Sequence, residues 1–298
     1  MRYAVLGGAQ LFVGAAAIFA RFALTGAGPV AVSYLRLGIA AAVMLALLAL
    51  RPGSRTYLGA AREILLAIAG VALAVHFAGW IASLEFTSIA LATLLVCTSP
   101  IFTGIYEALV LRRLPSLSFI AALVFGAIGL TLVVASRNTP APVAGHALLG
   151  AALATLGAIA MAVYLTLVRR VRAQLSTVQI VARTYGWAAL VLLPVAALAH
   201  EHPPATGAHL AWFGIIAMAV FSQLLGHTAM NFSLRSFTPT TVGFSTLLEP
   251  VIAAVLGALI FGEALGGAEL LGAIFLFAAI ALALRDQAAQ VQPEASSL

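Results

Sequence analysis

The stretch from residue 239 to residue 262, PTTVGFSTLLEPVIAAVLGALIFG, contains one charged side chain, Glu249. A helix of about 20 apolar residues matches the roughly 30 Å hydrocarbon core of a bilayer. Nine further stretches of similar length and apolar character fill most of the 298-residue chain. Numbered as spans 1 to 10, the predicted membrane helices are residues 3–24, 29–50, 63–84, 88–111, 116–136, 146–168, 176–198, 208–233, 239–262 and 267–285.

The composition also predicts an all-α integral membrane protein in contact with the lipid bilayer. Hydrophobic residues make up 63% of the chain and charged residues only 8%, whereas soluble domains carry about 25% charged residues. No soluble face gathers the net charge of +6, which argues against a nucleic-acid partner. Cys97 is the single cysteine, so an intrachain disulfide is excluded, and we expect no metal or other cofactor.

The loop arginines predict the orientation of the chain. When the connections are sorted alternately, eleven arginines fall on one side and only Arg137 on the other. Because positively charged loop residues stay in the cytoplasm, both termini are expected to be cytoplasmic. The protein itself is expected in the inner (plasma) membrane. Residues 286–298 are predicted to form a disordered tail. The eleven are Arg2, Arg51, Arg55, Arg62, Arg112, Arg113, Arg169, Arg170, Arg172, Arg235 and Arg285.

Two similar halves follow one another along the chain. Pro100 and Pro250 lie 150 residues apart, and Arg36 in span 2 matches Arg183 in span 7 at an offset of 147. Five helices per half is an odd number, so the second half would enter the membrane from the opposite side. Inverted repeats of this kind are typical of transporters that bind their substrate between the halves.

Two motifs resemble a known transporter module. In the second half the motif is residues 248–263, LEPVIAAVLGALIFGE, and in the first half it is residues 86–90, FTSIA, with Ser99-Pro100. They resemble the EamA-type module of the drug/metabolite transporter superfamily, and within it the bacterial exporters of aromatic amino acids. The resemblance implies ten transmembrane helices in two inverted five-helix repeats, residues 1–137 and 146–285, around a central cavity. It also implies transport of small metabolites, often export of amino acids.

Polar side chains within the spans are candidates for binding a solute, because ionisable groups in hydrocarbon usually face a cavity. Gln223, His227 and Asn231 recur every four residues in span 8 and would share one helix face. They would either line a solute path or join span 8 to a neighbouring helix. In span 3, His76 and Trp80 have the same spacing, and a histidine can change charge near neutral pH.

Glu249 is the most informative acid, since it lies inside span 9, directly before Pro250. A proline within a helix frees a backbone carbonyl for other partners. Glu249 would accept the ammonium group of a solute or a proton, or it would form a structural ion pair with Arg36 or Arg183.

The complete site prediction has three parts. The predicted substrate-binding residues are Gln10, His76, Trp80, Thr98, Tyr164, Gln223, His227, Asn231, Ser245 and Glu249. The predicted hinges or helix breaks are Pro100 and Pro250. A loop cluster of His200, Glu201, His202 and His209 matches no compact zinc pattern, so no metal site is predicted.

These features favour a secondary transporter, an exporter of small metabolites such as amino acids that works by alternating access. The chain has no Gly-x-x-x-x-Gly-Lys phosphate loop and no lysine, which excludes ATP as the direct energy source; proton coupling and facilitated diffusion both stay open. The alternatives are another solute class, such as a sugar or a drug-like cation, a channel, or an intramembrane enzyme that uses histidine, serine and glutamate. No nucleophile elbow or His-Glu-x-x-His motif is present, so an enzyme is not expected. The oligomeric state is not predicted.

Overall fold

A computed structural model describes residues 1–50, 58–110, 112, 115–135, 146–262 and 265–295. Ten segments of this described part are long and apolar enough to cross a membrane, which confirms the predicted number. Spans 1 to 10 are, in order, Arg2–Ala23, Pro29–Ala49, Ala60–Phe86, Leu91–Val110, Leu117–Ala135, Ala147–Val171, Thr177–Leu198, His209–Ser233, Pro239–Ile260 and Gly267–Ala288. The described ranges do not include Arg51, Arg55, Arg113, Arg137 or Glu263.

Six of the spans belong to single continuous helices, which are Pro29–Ala49, Ala60–Phe86, Leu117–Ala135, Ala147–Val171, Thr177–Leu198 and Gly267–Ala295. Four are interrupted. Span 1 consists of Arg2–Gly14 and Ala16–Ala23, and span 8 of His209–Ala217, a π-helix at Met218–His227, and Thr228–Ser233. Span 4 is formed by Ile89–Val96 and Ser99–Val110, and span 9 by Pro239–Ser245 and Leu248–Phe261.

The breaks in spans 4 and 9 have a common cause. Pro100 and Pro250 each lie in the first turn of the second helix of their span. A proline has no backbone N–H and its ring clashes with the carbonyl four residues earlier, so it is tolerated in a first turn but not further along. The first helix of each span therefore ends just before the proline. Hydroxyl groups satisfy part of the interrupted backbone: Thr98 donates to Leu95 O at 2.6 Å and Thr246 to Gly243 O at 2.7 Å.

Most of the packed pairs of spans recur when each span is exchanged for the one five places along the chain. Span 3 packs on span 6, and span 8 packs on span 1. Span 4 also packs on span 6, and span 9 on span 1, while spans 2 and 7, 4 and 9, and 5 and 10 pack on each other. The two halves of the chain therefore contribute equivalent helix pairs to the bundle.

Spans 5 and 10 approach each other most closely at two glycines. A Cβ atom added to Gly129 would lie 2.8 Å from the carbonyl oxygen of Gly272, and one added to Gly272 would lie 2.8 Å from that of Gly129. Helices in lipid associate through close packing of small residues, because lipid tails are as apolar as the side chains. This contact requires glycine on both sides.

The last helix is longer than the sequence predicted. It continues to Ala295, so residues 286–295 are helical and not the disordered tail that was expected from residue 286. Two side chains anchor the extension: Ser116 bonds to Asp286, and Gln287 donates to Ser236 O at 2.9 Å and accepts from Thr238 N at 3.0 Å. Residues 296–298 of the predicted tail lie outside the described ranges.

Candidate functional site

A narrow cavity lies inside the bundle between spans from both halves. Its volume is about 30 Å³, which is room for one or two water molecules, whereas small-molecule sites usually enclose about 300–1,000 Å³. The spans must therefore separate before the cavity can hold a metabolite. It is lined by Val13, Ala16, Arg36, His76, Phe77, Trp80, Val96, Cys97, Ser99, Met161, His227, Met230, Thr246 and Glu249.

Arg36 is the most deeply buried charged side chain at this cavity, with 0% of its surface exposed. Its Nη2 donates to Gln223 Oε1 at 2.8 Å, and its guanidinium carbon lies 4.0 Å from the centre of the Phe77 ring. Nε and Nη1 have no hydrogen-bond partner in the described part of the chain. A buried cation with unsatisfied donors is costly, so this position is suited to an anionic ligand that completes its hydrogen bonds.

Two histidines face each other across the same cavity, with ring centroids 6.3 Å apart. His76 is fixed by span 6, because its Nδ1 lies 2.9 Å from Gly157 O. A carbonyl oxygen can only accept, so Nδ1 carries the proton and Nε2 of the neutral ring remains an acceptor. His227 packs edge-on against Phe77 at a centroid distance of 5.0 Å.

Glu249 is half-buried and lines the cavity from the first turn of helix Leu248–Phe261. The positive end of a helix dipole stabilises a carboxylate at this position. The breaks of spans 4 and 9 meet beside it, since Cys97 Sγ lies 3.5 Å from Thr246 O. Both broken spans therefore contribute residues beside their breaks to the wall of the cavity.

Span 8 contains a π-helix at Met218–His227, and the three residues predicted to share one face of this span, Gln223, His227 and Asn231, have different surroundings. Only His227 of the three lines the cavity. Gln223 bonds to Arg36, and Asn231 accepts from the Tyr164 hydroxyl at 2.9 Å.

The remaining predicted substrate-binding residues differ in position. His76, Trp80 and Glu249 line the cavity. Gln10 is fully buried and donates to Ser245 Oγ at 2.8 Å, so this pair joins span 1 to span 9 without lining the cavity. The other two, Tyr164 and Thr98, also lie outside its wall. Thr98 lines a separate apolar cavity between spans 4, 5 and 9.

The predicted structural ion pair of Glu249 is not present. Arg183 pairs instead with Glu63, with Nε 2.9 Å from Oε1. Arg36 bonds to Gln223, and no ion pair within the described ranges joins it to Glu249. Ser245 bonds to Gln10 and Val242 O, so the serine of the enzyme hypothesis is not assembled with the cavity histidines.

Glu201 of the loop cluster between spans 7 and 8 has a structural role. Glu201 Oε2 accepts from Ala31 N at 2.8 Å and so caps the start of span 2, where a carboxylate also complements the helix dipole. The described residues contain no group of three histidine, cysteine, aspartate or glutamate side chains arranged to hold a metal ion.

Comparison with known proteins identifies the family. The sequence matches the model of the EamA-like transporter family over residues 3–135 and 148–285. The chain belongs to this family. Its ten apolar spans and its family identify it as a membrane transporter.

Three known proteins are similar to this EamA-like transporter. Protein PecM of Dickeya dadantii (strain 3937) is 30% identical over 164 residues, which cover 53% of this chain and 52% of PecM; the match thus spans about half the length of that relative. "Uncharacterized inner membrane transporter YicL" of Salmonella typhimurium is 27% identical over 209 residues, 68% of this chain and 67% of YicL. A crystal structure of a protein with 17% identity has the same fold, with a TM-score of 0.77 over 96% of this chain and 97% of its own.

The sequence prediction of the site missed several residues that line the cavity of this EamA-like transporter. They include Arg36, Phe77, Ser99 and Thr246. Arg36 could have been predicted from its position, because a charged residue in the middle of span 2 needs a polar partner or a cavity. Ser99 and Thr246 had a weaker signal, namely their positions within four residues of the two prolines.

Proposed function

We propose that this protein is a secondary transporter that exports small zwitterionic metabolites, such as amino acids, by alternating access. The observation that supports this most directly is that two side chains of opposite charge line one cavity. Arg36 offers two unpartnered N–H groups and Glu249 offers a carboxylate, and no ion pair between them appears in the described structure. A ligand with both charges would satisfy both side chains.

The carboxylate of the solute would bind Arg36. A guanidinium binds a carboxylate through charge-assisted hydrogen bonds, and the N–H groups of Arg36 Nε and Nη1 have no other partner in the described part of the chain. Gln223 holds the third donor group, Nη2, and so orients the guanidinium. The carboxylate of the bound solute would supply the counter-charge that the buried arginine lacks.

The ammonium group would bind Glu249, and the apolar part of the solute would lie against the aromatic and methionine side chains. Trp80, Met161 and Met230 supply this part of the wall. Aromatic faces also attract cations, so a drug-like cation is the second solute class to test. Arg36 disfavours such a ligand, because it places a like charge at the same cavity.

Alternation between two states would follow from two inverted five-helix repeats, residues 1–137 and 146–285. The equivalent packing of the two halves supports this arrangement, since inverted halves have two near-equal ways to pack, each open to one side. Pro100 and Pro250 would act as hinges, because the helix breaks before them leave few backbone hydrogen bonds to disrupt. The contracted cavity would correspond to a state closed to both sides.

We place the transporter in the inner membrane, as the name of YicL suggests, with both termini in the cytoplasm as the arginine distribution predicts. The solute's own gradient or a proton exchanged at Glu249 would supply the energy. Glu249 and the histidines are the groups of the cavity wall that can take up a proton.

The test is transport by the purified protein in proteoliposomes with four matched solutes. They are an aromatic amino acid, its decarboxylated amine, its deaminated acid and a neutral sugar. Only the amino acid should show saturable flux and competition by other amino acids. Flux is then measured with and without a pH gradient. A transport rate that does not depend on the gradient would exclude proton coupling.

Three results would contradict the proposal. Saturable flux of the amine but not of the amino acid would indicate a transporter of cations, in which Arg36 does not bind the solute. Flux of the sugar alone would exclude both charge contacts. Ion current without saturation would indicate a channel.

A further inference from the structure

A second pocket lies where spans 6 and 8 end, on the side predicted to face the cytoplasm. Its volume is about 690 Å³. The pocket is formed by the end of span 6, the turn after it and the residue segment that follows span 8. It is lined by Arg169, Arg172, Ala173, Gln174, Leu175, Ser176 and Arg235.

Three arginines, Arg169, Arg172 and Arg235, surround this pocket, and no carboxylate of the described residues forms an ion pair with them. Arg169 donates to the carbonyl oxygen of Leu234, which leaves its charge uncompensated. Gathering three cations around one space is unfavourable, and it suggests that an anion belongs there.

Arg172 shows the strongest need for such an anion, since only 4% of its surface is exposed. Nη1 donates to Leu175 O at 2.5 Å and Nη2 to Thr177 Oγ1 at 2.8 Å. Nε has no partner within the described ranges. Burial, together with Arg235 and Arg169, lowers the pKa of Arg172 to about 10.

The pocket lies beyond the last residues of spans 6 and 8, where we expect the bilayer head groups. Arg235 follows the last helical residue of span 8 and lies over the ring of Phe232, with 5.1 Å to the ring centroid. Phe232 is 38% exposed, so the basic pocket borders apolar surface. Basic pockets between membrane helices on the cytoplasmic side suit the phosphate groups of anionic lipids.

We propose that Arg169, Arg172 and Arg235 form a binding site for a phosphate group, either the phosphodiester of an anionic phospholipid or free phosphate. Arginine suits this ligand because its fork of N–H donors matches phosphate oxygens. The site is separate from the central cavity, so its test is independent of the transported solute.

The test measures the melting temperature of the purified full-length protein in detergent. The probes are short-chain phosphatidylglycerol, the same lipid with a phosphatidylcholine head group, and inorganic phosphate. Phosphatidylglycerol should raise the melting temperature in a saturable way. Arg172→Gln and Arg235→Gln should each raise the half-saturating concentration about tenfold, the loss typical of one charge-assisted hydrogen bond.

Arg170→Gln is the matched control, because Arg170 is exposed, lies beside Arg169 in sequence and bonds to Tyr106 instead of lining the pocket. If inorganic phosphate gives the same arginine-dependent shift, the site is supported and free phosphate is its ligand. Equal shifts with both lipids, or an equal loss in Arg170→Gln, would overturn the proposal. If Arg172→Gln does not fold, Arg235→Gln decides, since Arg235 is exposed.

Discussion

Arg36 donates to the amide oxygen of Gln223 at 2.8 Å, and this bond holds the guanidinium at the cavity that Glu249 lines from the opposite half of the chain. A neutral partner fixes the orientation of the arginine without cancelling its charge. A buried ion pair would have neutralised both side chains and left little affinity for a solute. Satisfying only one of the three guanidinium nitrogens lowers the stability of the fold, and binding a carboxylate would recover this loss.

Replacing Arg36 with glutamine should lower amino-acid flux about tenfold to a hundredfold, because a hydrogen bond to a charged group contributes about 1.5–3 kcal/mol. Folding should not suffer, since exchanging a buried charge for a neutral group is often neutral or stabilising. The measurements are initial rates in proteoliposomes and the melting temperature of the purified variant. Arg36→Lys should recover little of the flux, because an ammonium group lacks the planar fork.

Arg183→Gln is the control for Arg36→Gln. Arg183 occupies the equivalent place in the second half but pairs with Glu63 and does not line the cavity. Its loss should lower stability and leave the apparent affinity for the solute unchanged. Equal losses of affinity in the two variants would show that Arg36 has no direct contact with the solute.

Glu249→Gln should lower the flux of solutes that carry an ammonium group, because the amide removes the negative charge while it keeps the shape of the side chain. The expected loss is again about tenfold, with a folded yield near that of the native protein. Flux and size-exclusion profiles measure the two effects. Glu85→Gln is the control, since Glu85 is exposed at the end of span 3; a variant of Glu249 that aggregates would instead assign this acid a structural role.

His227→Ala should also lower transport and leave the folded yield close to normal. The variant removes a ring that lines the cavity and packs against Phe77, so the solute loses one wall of its site. Initial rates over a range of solute concentrations should show a raised KM. His209→Ala, at the exposed start of the same span, should change neither rate nor yield, and unaltered kinetics in His227→Ala would remove this histidine from the site.

The sequence predicted the ten spans well because a bilayer imposes a simple length and polarity rule on every membrane helix. The site was harder to predict. Four-residue spacing put Gln223, His227 and Asn231 on one face, but Gln223 bonds to Arg36, Asn231 bonds to Tyr164, and only His227 lines the cavity. The partner of a buried polar residue depends on helix rotation and depth, which a periodic apolar pattern does not define. Arg36 shows this, because its bond to Gln223 joins residues 187 positions apart.

Tyr164→Phe tests whether Tyr164 binds the substrate or only forms a structural hydrogen bond. The sequence predicted that Tyr164 binds substrate, whereas its hydroxyl bonds to Asn231 away from the cavity. The variant should cost about 0.6–1.5 kcal/mol in stability, the usual worth of such a bond between membrane helices, with no change in KM. Thermal unfolding and transport kinetics measure both quantities. A raised KM at unchanged stability would return Tyr164 to the substrate site.

Gly129→Ala tests the contact between spans 5 and 10. The added Cβ would lie 2.8 Å from Gly272 O, so the two helices must move apart, and overpacking of this kind costs about 1–3 kcal/mol. Gly7→Ala makes the same chemical change within helix Arg2–Gly14, where nothing but its chain neighbours and the backbone of its own helix lies within 4 Å of the new carbon. That control should be neutral or stabilising by up to about 1 kcal/mol, the difference in helix propensity. Melting temperatures of the two variants measure the contrast, and equal values would mean that spans 5 and 10 do not touch at these glycines in the membrane.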